Sequence, residues 1–245
     1  MKKTIFSIMA LAMAMTSCTN EVLTDVDGYG TIVLSVNNDE TVTRSAKTVA
    51  DLNGWVVKAY NGSEDISLTT ASTKVKAGTY TVSAQSHASE ADALKDNDGW
   101  GAAFYQGTAA PVEVTAGSKK DVTVECGTAK NARLKVQFSL ISNFTEYSLK
   151  AERDLVFNSD NATSALAYYA ATEEVEYTLS YKYNDTPKEI TGKITMNGAA
   201  TENIISIASN DNGTISVTVN YDETFETGNS ENLEFDAATG EEVKK

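Results

Sequence analysis

The chain reads as all-β, with two antiparallel β-sandwich domains of transthyretin-like or Greek-key type behind a lipoprotein signal peptide. Three observations carry this reading. Apolar and polar residues alternate with a period of two along most of the chain, the pattern of strands with one face buried. Threonine is abundant, which suits extended backbone and opposes helix. Glycines and Asn-Gly pairs fall between the alternating runs, where tight turns need positive φ.

Residues 1–17 read as the signal peptide. Lys2 and Lys3 make a basic start, and Ile5–Met15 is an uncharged, mostly apolar run of 11 residues. That length suits a signal-peptide core and is too short to span a bilayer. Met15-Thr16-Ser17 and then Cys18 follow, the order of a bacterial lipobox. Signal peptidase II would cut before Cys18, and the thiol would carry a diacylglycerol. Several acyl chains on one cysteine anchor stably where one chain is marginal. The membrane is therefore the first expected partner. Four of the five methionines lie in this segment, so it stands apart from the folded chain. Residues 18–27 form a short acidic, lipidated tether.

The first sandwich is expected over residues 28–128. Ile32, Leu34 and Val36 share one face of a strand, and Tyr80, Val82 and Ala84 share a face of another. Val122, Val124 and Cys126 do the same, which places Cys126 in a core. Trp55 alternates with Val57 and belongs there too. The second sandwich is expected over 129–245, with the boundary near Gly127–Asn131 and no Pro- or Ser-rich linker. Its strands are marked by Leu134, Val136, Phe138 and Leu140, and by Tyr177, Leu179, Tyr181 and Tyr183. Ile190, Ile194 and Met196 mark another, as do Ile215, Val217, Val219 and Tyr221. Asn61-Gly62, Asn197-Gly198 and Asn212-Gly213 suit type I′ hairpins. Ser89–Lys95 and Ala162–Ala171 are the stretches expected to form helical turns. Tyr80-Thr81-Val82-Ser83 echoes Tyr177-Thr178-Leu179-Ser180, a sign of an internal repeat. Residues 222–243 hold eight acids and no base, expected as a solvated C-terminal strand and acidic tail.

Composition narrows the function. The net charge is −14, and −16 once residues 1–17 take Lys2 and Lys3 with them. Such a charge argues against a nucleic-acid partner. One histidine and two cysteines cannot build a His-rich metal site, a zinc-finger set or a disulfide framework. His87 is the one side chain with an ordinary pKa near neutrality, and no G-x-S-x-G elbow accompanies it. With 34 acids, a glycosidase-like carboxylate pair can always be imagined, so abundance carries no information. No P-loop, G-x-G-x-x-G or H-E-x-x-H is present. No catalytic residue, cofactor or metal is assigned, and the protein is not expected to be an enzyme.

One loop could hold a ligand. Asp96-Asn97-Asp98-Gly99 resembles the start of a calcium loop, but Glu113 lies too far along to be its bidentate ligand. Trp100, Phe104 and Tyr105 follow closely, and flat aromatics on loops can stack on sugar rings. Asp96, Asp98, Trp100, Phe104 and Tyr105 therefore make one candidate ligand site. The competing reading sends Phe104 or Tyr105 into a core and lays Trp100 over its end.

Two segments carry a family resemblance. One is Lys76-Ala77-Gly78-Thr79-Tyr80-Thr81-Val82-Ser83-Ala84. The other runs from Phe104-Tyr105-Gln106-Gly107 through Val112-Glu113-Val114-Thr115-Ala116-Gly117 to Val122-Thr123-Val124-Glu125-Cys126. With the lipobox and Gly28-Tyr29-Gly30-Thr31, the chain resembles the Bacteroidetes lipoprotein family called domain of unknown function 4493. That family is similar in architecture to fimbrillin-type surface proteins, which have a lipobox and two β-sandwich domains and polymerise by strand exchange. Val42-Thr43-Arg44-Ser45 is similar to the arginine site at which some fimbrillins are cut, making Arg44 a candidate processing site. The resemblance brings no catalytic residues.

The expected function is that of a non-catalytic, surface-exposed outer-membrane lipoprotein, acting in adhesion or in a fimbrillin-like surface assembly. The alternative is a monomeric glycan-binding surface lipoprotein that uses the aromatic loop. The expected partners, besides the membrane, are other surface proteins or glycans.

Overall fold

The computed structural model describes residues 28–38, 47–48, 53–222 and 231–243. The signal peptide, Cys18, the tether and Arg44 lie outside the described residues.

The first half carries β1 (Tyr29–Asn37), β2 (Lys47–Thr48), β3 (Val56–Tyr60), β4 (Asp65–Ser67), β5 (Ser72–Lys76), β6 (Gly78–Gln85), β7 (Gln106–Thr108), β8 (Val112–Val114) and β9 (Lys119–Glu125). In one sheet β1 is central. β5 and then β2 line one of its edges, and β9 lines the other. The second sheet runs β4-β3-β6, with β7 and β8 sharing the far edge of β6. Ile32, Leu34, Val36, Val75, Val122 and Val124 from the first sheet pack against Val57, Ala59, Tyr80, Val82, Ala84 and Val114 from the second. Each such side chain contributes roughly 1.5–3 kcal/mol when it leaves water. That term selects the inward face of every alternating run.

The second half carries β10 (Ala132–Ser139), β11 (Phe144–Ala151), β12 (Leu155–Asn158), β13 (Ala167–Tyr169), β14 (Glu174–Tyr183), β15 (Thr186–Thr195), β16 (Glu202–Ser209), β17 (Thr214–Asp222) and β18 (Glu231–Asp236). Its sheets run β13-β10-β16-β17-β18 and β12-β11-β14-β15. Leu134, Val136, Ile205, Ile207 and Val217 meet Leu149, Phe157, Tyr177, Leu179 and Ile194 in a second core. Part of the acidic C-terminal stretch is thus a sheet strand, with Phe235 and Ala237 buried.

The two halves repeat one topology. In each, the first strand is central, antiparallel to a later strand on one edge and parallel to another on the other edge. The parallel pairs are β1–β9 and β10–β16. Thr31 donates its N–H to Ser118 O at 2.8 Å, and Arg133 donates to Thr201 O at 3.0 Å. These bonds open the two parallel ladders, so residue 31 corresponds to residue 133. β6 and β14, which carry the Tyr80 and Tyr177 echo, hold the same place. β17 and β18 extend the second copy only.

Several local expectations are corrected. The sheets are antiparallel save for one parallel pair in each half, a long-range pairing that periodicity does not encode. Ser89 does start a helix, α1 (Glu90–Ala93), with its Oγ accepting from Asp92 N at 3.1 Å. Ala162–Ala171 is not helical throughout. A turn at 161–164 leads into β13, because Ala167 and Tyr169 are both buried beside β10. Asn197-Gly198 joins β15 to β16, which lie in different sheets, so it is a crossover and not a hairpin. Asn61-Gly62 sits in a four-residue loop, where Asn61 Oδ1 accepts from Ser63 N and Glu64 N. Asn212-Gly213 ends a similar loop, where Asn210 Oδ1 accepts from Asn212 N and Thr214 N. The two-residue hairpin is Asn184-Asp185 between β14 and β15, with φ +49 and +62. No helix of the described residues is long and apolar enough to cross a membrane.

Cys126 faces the first core as expected and is 1% exposed. Burial pushes its thiol up to about 11. Gly107 of β7 passes directly over it. A Cβ there would collide with Glu125 O and lie 2.7 Å from Cys126 Sγ, so only glycine fits.

Candidate functional site

The loop that the sequence singled out lies between the two halves of the chain. It leaves β6 at Gln85, forms α1, and passes a 3-10 turn at Asn97–Gly99 before reaching β7. Asp96 caps that turn, accepting from Asn97 N at 2.8 Å. This bond, and then the His87 ring, holds the Asp96 carboxyl below its usual range. Asp98 sits in the turn at φ +55 and is exposed. Among the described residues no three His, Cys, Asp or Glu side chains are grouped to hold a metal ion.

His87 joins two neighbours. Its Nδ1 is 3.0 Å from Ser86 Oγ, and its Nε2 is 3.3 Å from Asp96 Oδ2. The chain Ser-His-Asp is superficially that of a hydrolase triad. Here, however, Ser86 Oγ also accepts from Tyr105 N at 3.0 Å, and Ser86 N donates to Tyr105 O at 2.9 Å. The hydroxyl therefore closes the loop onto itself.

The three aromatic rings go to three different places. Trp100 meets Phe157 of the second core edge-on, with centroids 5.0 Å apart and planes at 81°. Phe104 is buried. Tyr105 stacks on Trp55 of the first core at 6.4 Å and 11°. The Trp100 carbonyl accepts from Tyr168 N at 2.7 Å, adding a main-chain tie across the halves.

Two residues outside the candidate set complete the junction. Asn131 is 1% exposed. Its Oδ1 accepts from Phe104 N at 2.9 Å and its Nδ2 donates to Ala102 O at 2.8 Å. Arg153 donates to Leu94 O at 2.7 Å and to Tyr168 O, and lies 4.2 Å over the Tyr169 ring. It does so from φ +63, a conformation non-glycine residues rarely adopt. Sequence reasoning missed both, because their partners are distant in the chain. The one available signal for Arg153 was rarity, since the whole chain has three arginines.

A groove of about 680 Å³ runs from Lys150–Asp154 across β14 to Thr191–Lys193. Four of its charged side chains, Lys150, Asp154, Glu176 and Lys193, are in ion pairs. Lys150 pairs with Asp154 at 2.6 Å, and Lys193 with Glu174 at 2.8 Å and Glu176 at 2.9 Å.

The chain is similar to several solved structures. A fimbrial assembly protein from Parabacteroides distasonis aligns with 12% identity and TM-score 0.44, over 82% of this chain and 97% of that one. A candidate cell adhesion protein from Bacteroides ovatus aligns with 11% identity and TM-score 0.39, over 82% and 96%. Another, from Bacteroides fragilis, aligns with 10% identity and TM-score 0.39, over 82% and 99%. No curated protein matches the chain. Residues 28–236, which contain both segments of the resemblance and nearly all of the described fold, match one family model. The chain therefore belongs to the family described as Domain of unknown function (DUF4493).

Proposed function

We propose that the protein is a non-catalytic, surface-exposed lipoprotein of the outer membrane, anchored through Cys18. In this reading it acts in adhesion or as part of a fimbrillin-like surface assembly. The junction is the observation that carries this. Trp100, Asn131 and Arg153 tie the two β-sandwich lobes by ring packing and buried or charge-assisted hydrogen bonds. Interactions of that kind favour one stiff body over two hinged ones. β1 ends where Cys126 N donates to Asn37 O. β10 leaves the junction at Ala132 and runs 8 residues, roughly 26 Å, away from it. A body of this kind holds a binding surface clear of the membrane. The glycan-binding alternative is less favoured, since Trp100 packs on Phe157, Tyr105 stacks on Trp55, and Phe104 is buried.

The test is material sheared from intact cells, run on a gel with and without boiling and detected with an antibody. A ladder that collapses on boiling is the expected result, as for subunits joined by strand pairing. A single band at the monomer position contradicts the assembly.

A further inference from the structure

We propose that the open edge of β10, over Val136–Ser139, is a docking site for an extended peptide segment of a protein partner. The segment adds as an antiparallel strand and places one carboxylate against Lys135.

The internal repeat is the starting point. In the first lobe β5 pairs with β1 as far as Val33, and β2 continues along the same edge through Ser35↔Thr48 and Val36↔Lys47. Residues 35 and 36 correspond to Gln137 and Phe138. In the second lobe β13 pairs with β10 only as far as Leu134. Among the described residues no strand continues along that edge. The connection lengths explain the difference. Residues 38–55 join β1 to β3, long enough to send β2 back beside β1, whereas residues 140–143 join β10 to β11. The 159–164 turn approaches the position with Ala162 and Thr163, but among the described residues it makes no strand pairing there.

The backbone there is aimed outward. Arg133 N points to β16, so by strand alternation the N–H and C=O of Val136 and Phe138 point to the opposite edge. An edge of this kind is a template for strand addition. A groove of about 430 Å³ borders it, walled by Phe138, Tyr147, Ala162 and Thr163. The Phe138 and Tyr147 rings are 4.9 Å apart and offer apolar surface to alternate side chains of an added strand. Lys135 is the one charged residue lining the groove, which sets a carboxylate on the partner's other face. The site lies at the end of β10 remote from the junction, where a partner on another molecule can reach it.

This inference deepens the adhesion reading and rests on it for the partner being a protein. The mature lipoprotein in detergent micelles is titrated with the fluorescent peptide Thr-Val-Thr-Val-Asp-Val-Thr and with its Lys-for-Asp counterpart. The Asp peptide is expected to bind better, and to slow amide hydrogen exchange over residues 135–140. Lys135→Glu should weaken the Asp peptide by about tenfold and reverse the preference. Thr163→Trp, an exposed position on the groove wall, should weaken both peptides by obstruction. Absence of binding, binding that leaves exchange over 135–140 unchanged, or binding indifferent to both substitutions overturns the proposal. None of these outcomes alters the gel result for sheared material, so the two readings fail separately.

Discussion

Cys18→Ala is expected to abolish acyl labelling of the protein and to empty the outer-membrane fraction of it. The cause is the absence of any substitute for the lipid. Acyl chains contribute about 0.8 kcal/mol per buried methylene, and two or more hold a protein where one is marginal. Without residues 1–17 the chain's net charge is −16, which an anionic membrane surface repels. No helix of the described residues could serve as a span. Cells fed an alkyne fatty acid should label the native protein strongly and the variant not at all. The variant should also keep its signal peptide, because signal peptidase II acts on the lipidated cysteine. Full recovery of the variant in the outer membrane would show that another element holds it there.

Asn131→Ala is expected to lower unfolding stability by about 3 kcal/mol, since each buried polar group left unpaired costs about 1–3 kcal/mol. The substitution orphans two such groups at once, Phe104 N–H and Ala102 C=O. Asn131 is 1% exposed, so water reaches neither group easily. Both groups belong to the loop of the first lobe, while Asn131 immediately precedes β10. The loss should therefore fall on the coupling between lobes. Urea unfolding should show a lower midpoint, and calorimetry should split one transition into two. A variant that unfolds like the native protein would mean that the junction is held by Arg153 and Trp100 alone.

Much of the fold was legible because burial acts on a period of two. Ile32, Tyr80, Leu134, Leu179 and Ile215 all face a core, as their alternation required. The Tyr80 and Tyr177 echo marked topologically equivalent strands. Partner choice was not legible. Nothing in the residues of β1 or β10 announces a parallel neighbour some 90 or 70 positions away, because pairing depends on main-chain groups that every residue has. Turn chemistry misled in a specific way. The Asn197-Gly198 dipeptide predicts a hairpin but makes a crossover, while Asn184-Asp185, without glycine, makes the tight turn. Asn and Asp tolerate left-handed backbone well enough to serve there. The candidate loop was visible as a cluster of turn residues and aromatics. Its direction was not visible, since Trp100 turns inward to a ring 57 positions later. Asn131 and Arg153 gave no local signal, because their work is done on the main chain of distant segments.

Adhesion or surface assembly requires the folded body to lie outside the outer membrane. An antibody raised against residues 28–236 in their folded state tests it on intact and on permeabilised cells. Equal binding to both is expected, with loss of the intact-cell signal in Cys18→Ala. Binding that appears only after the outer membrane is opened would place the protein on the periplasmic face and contradict it.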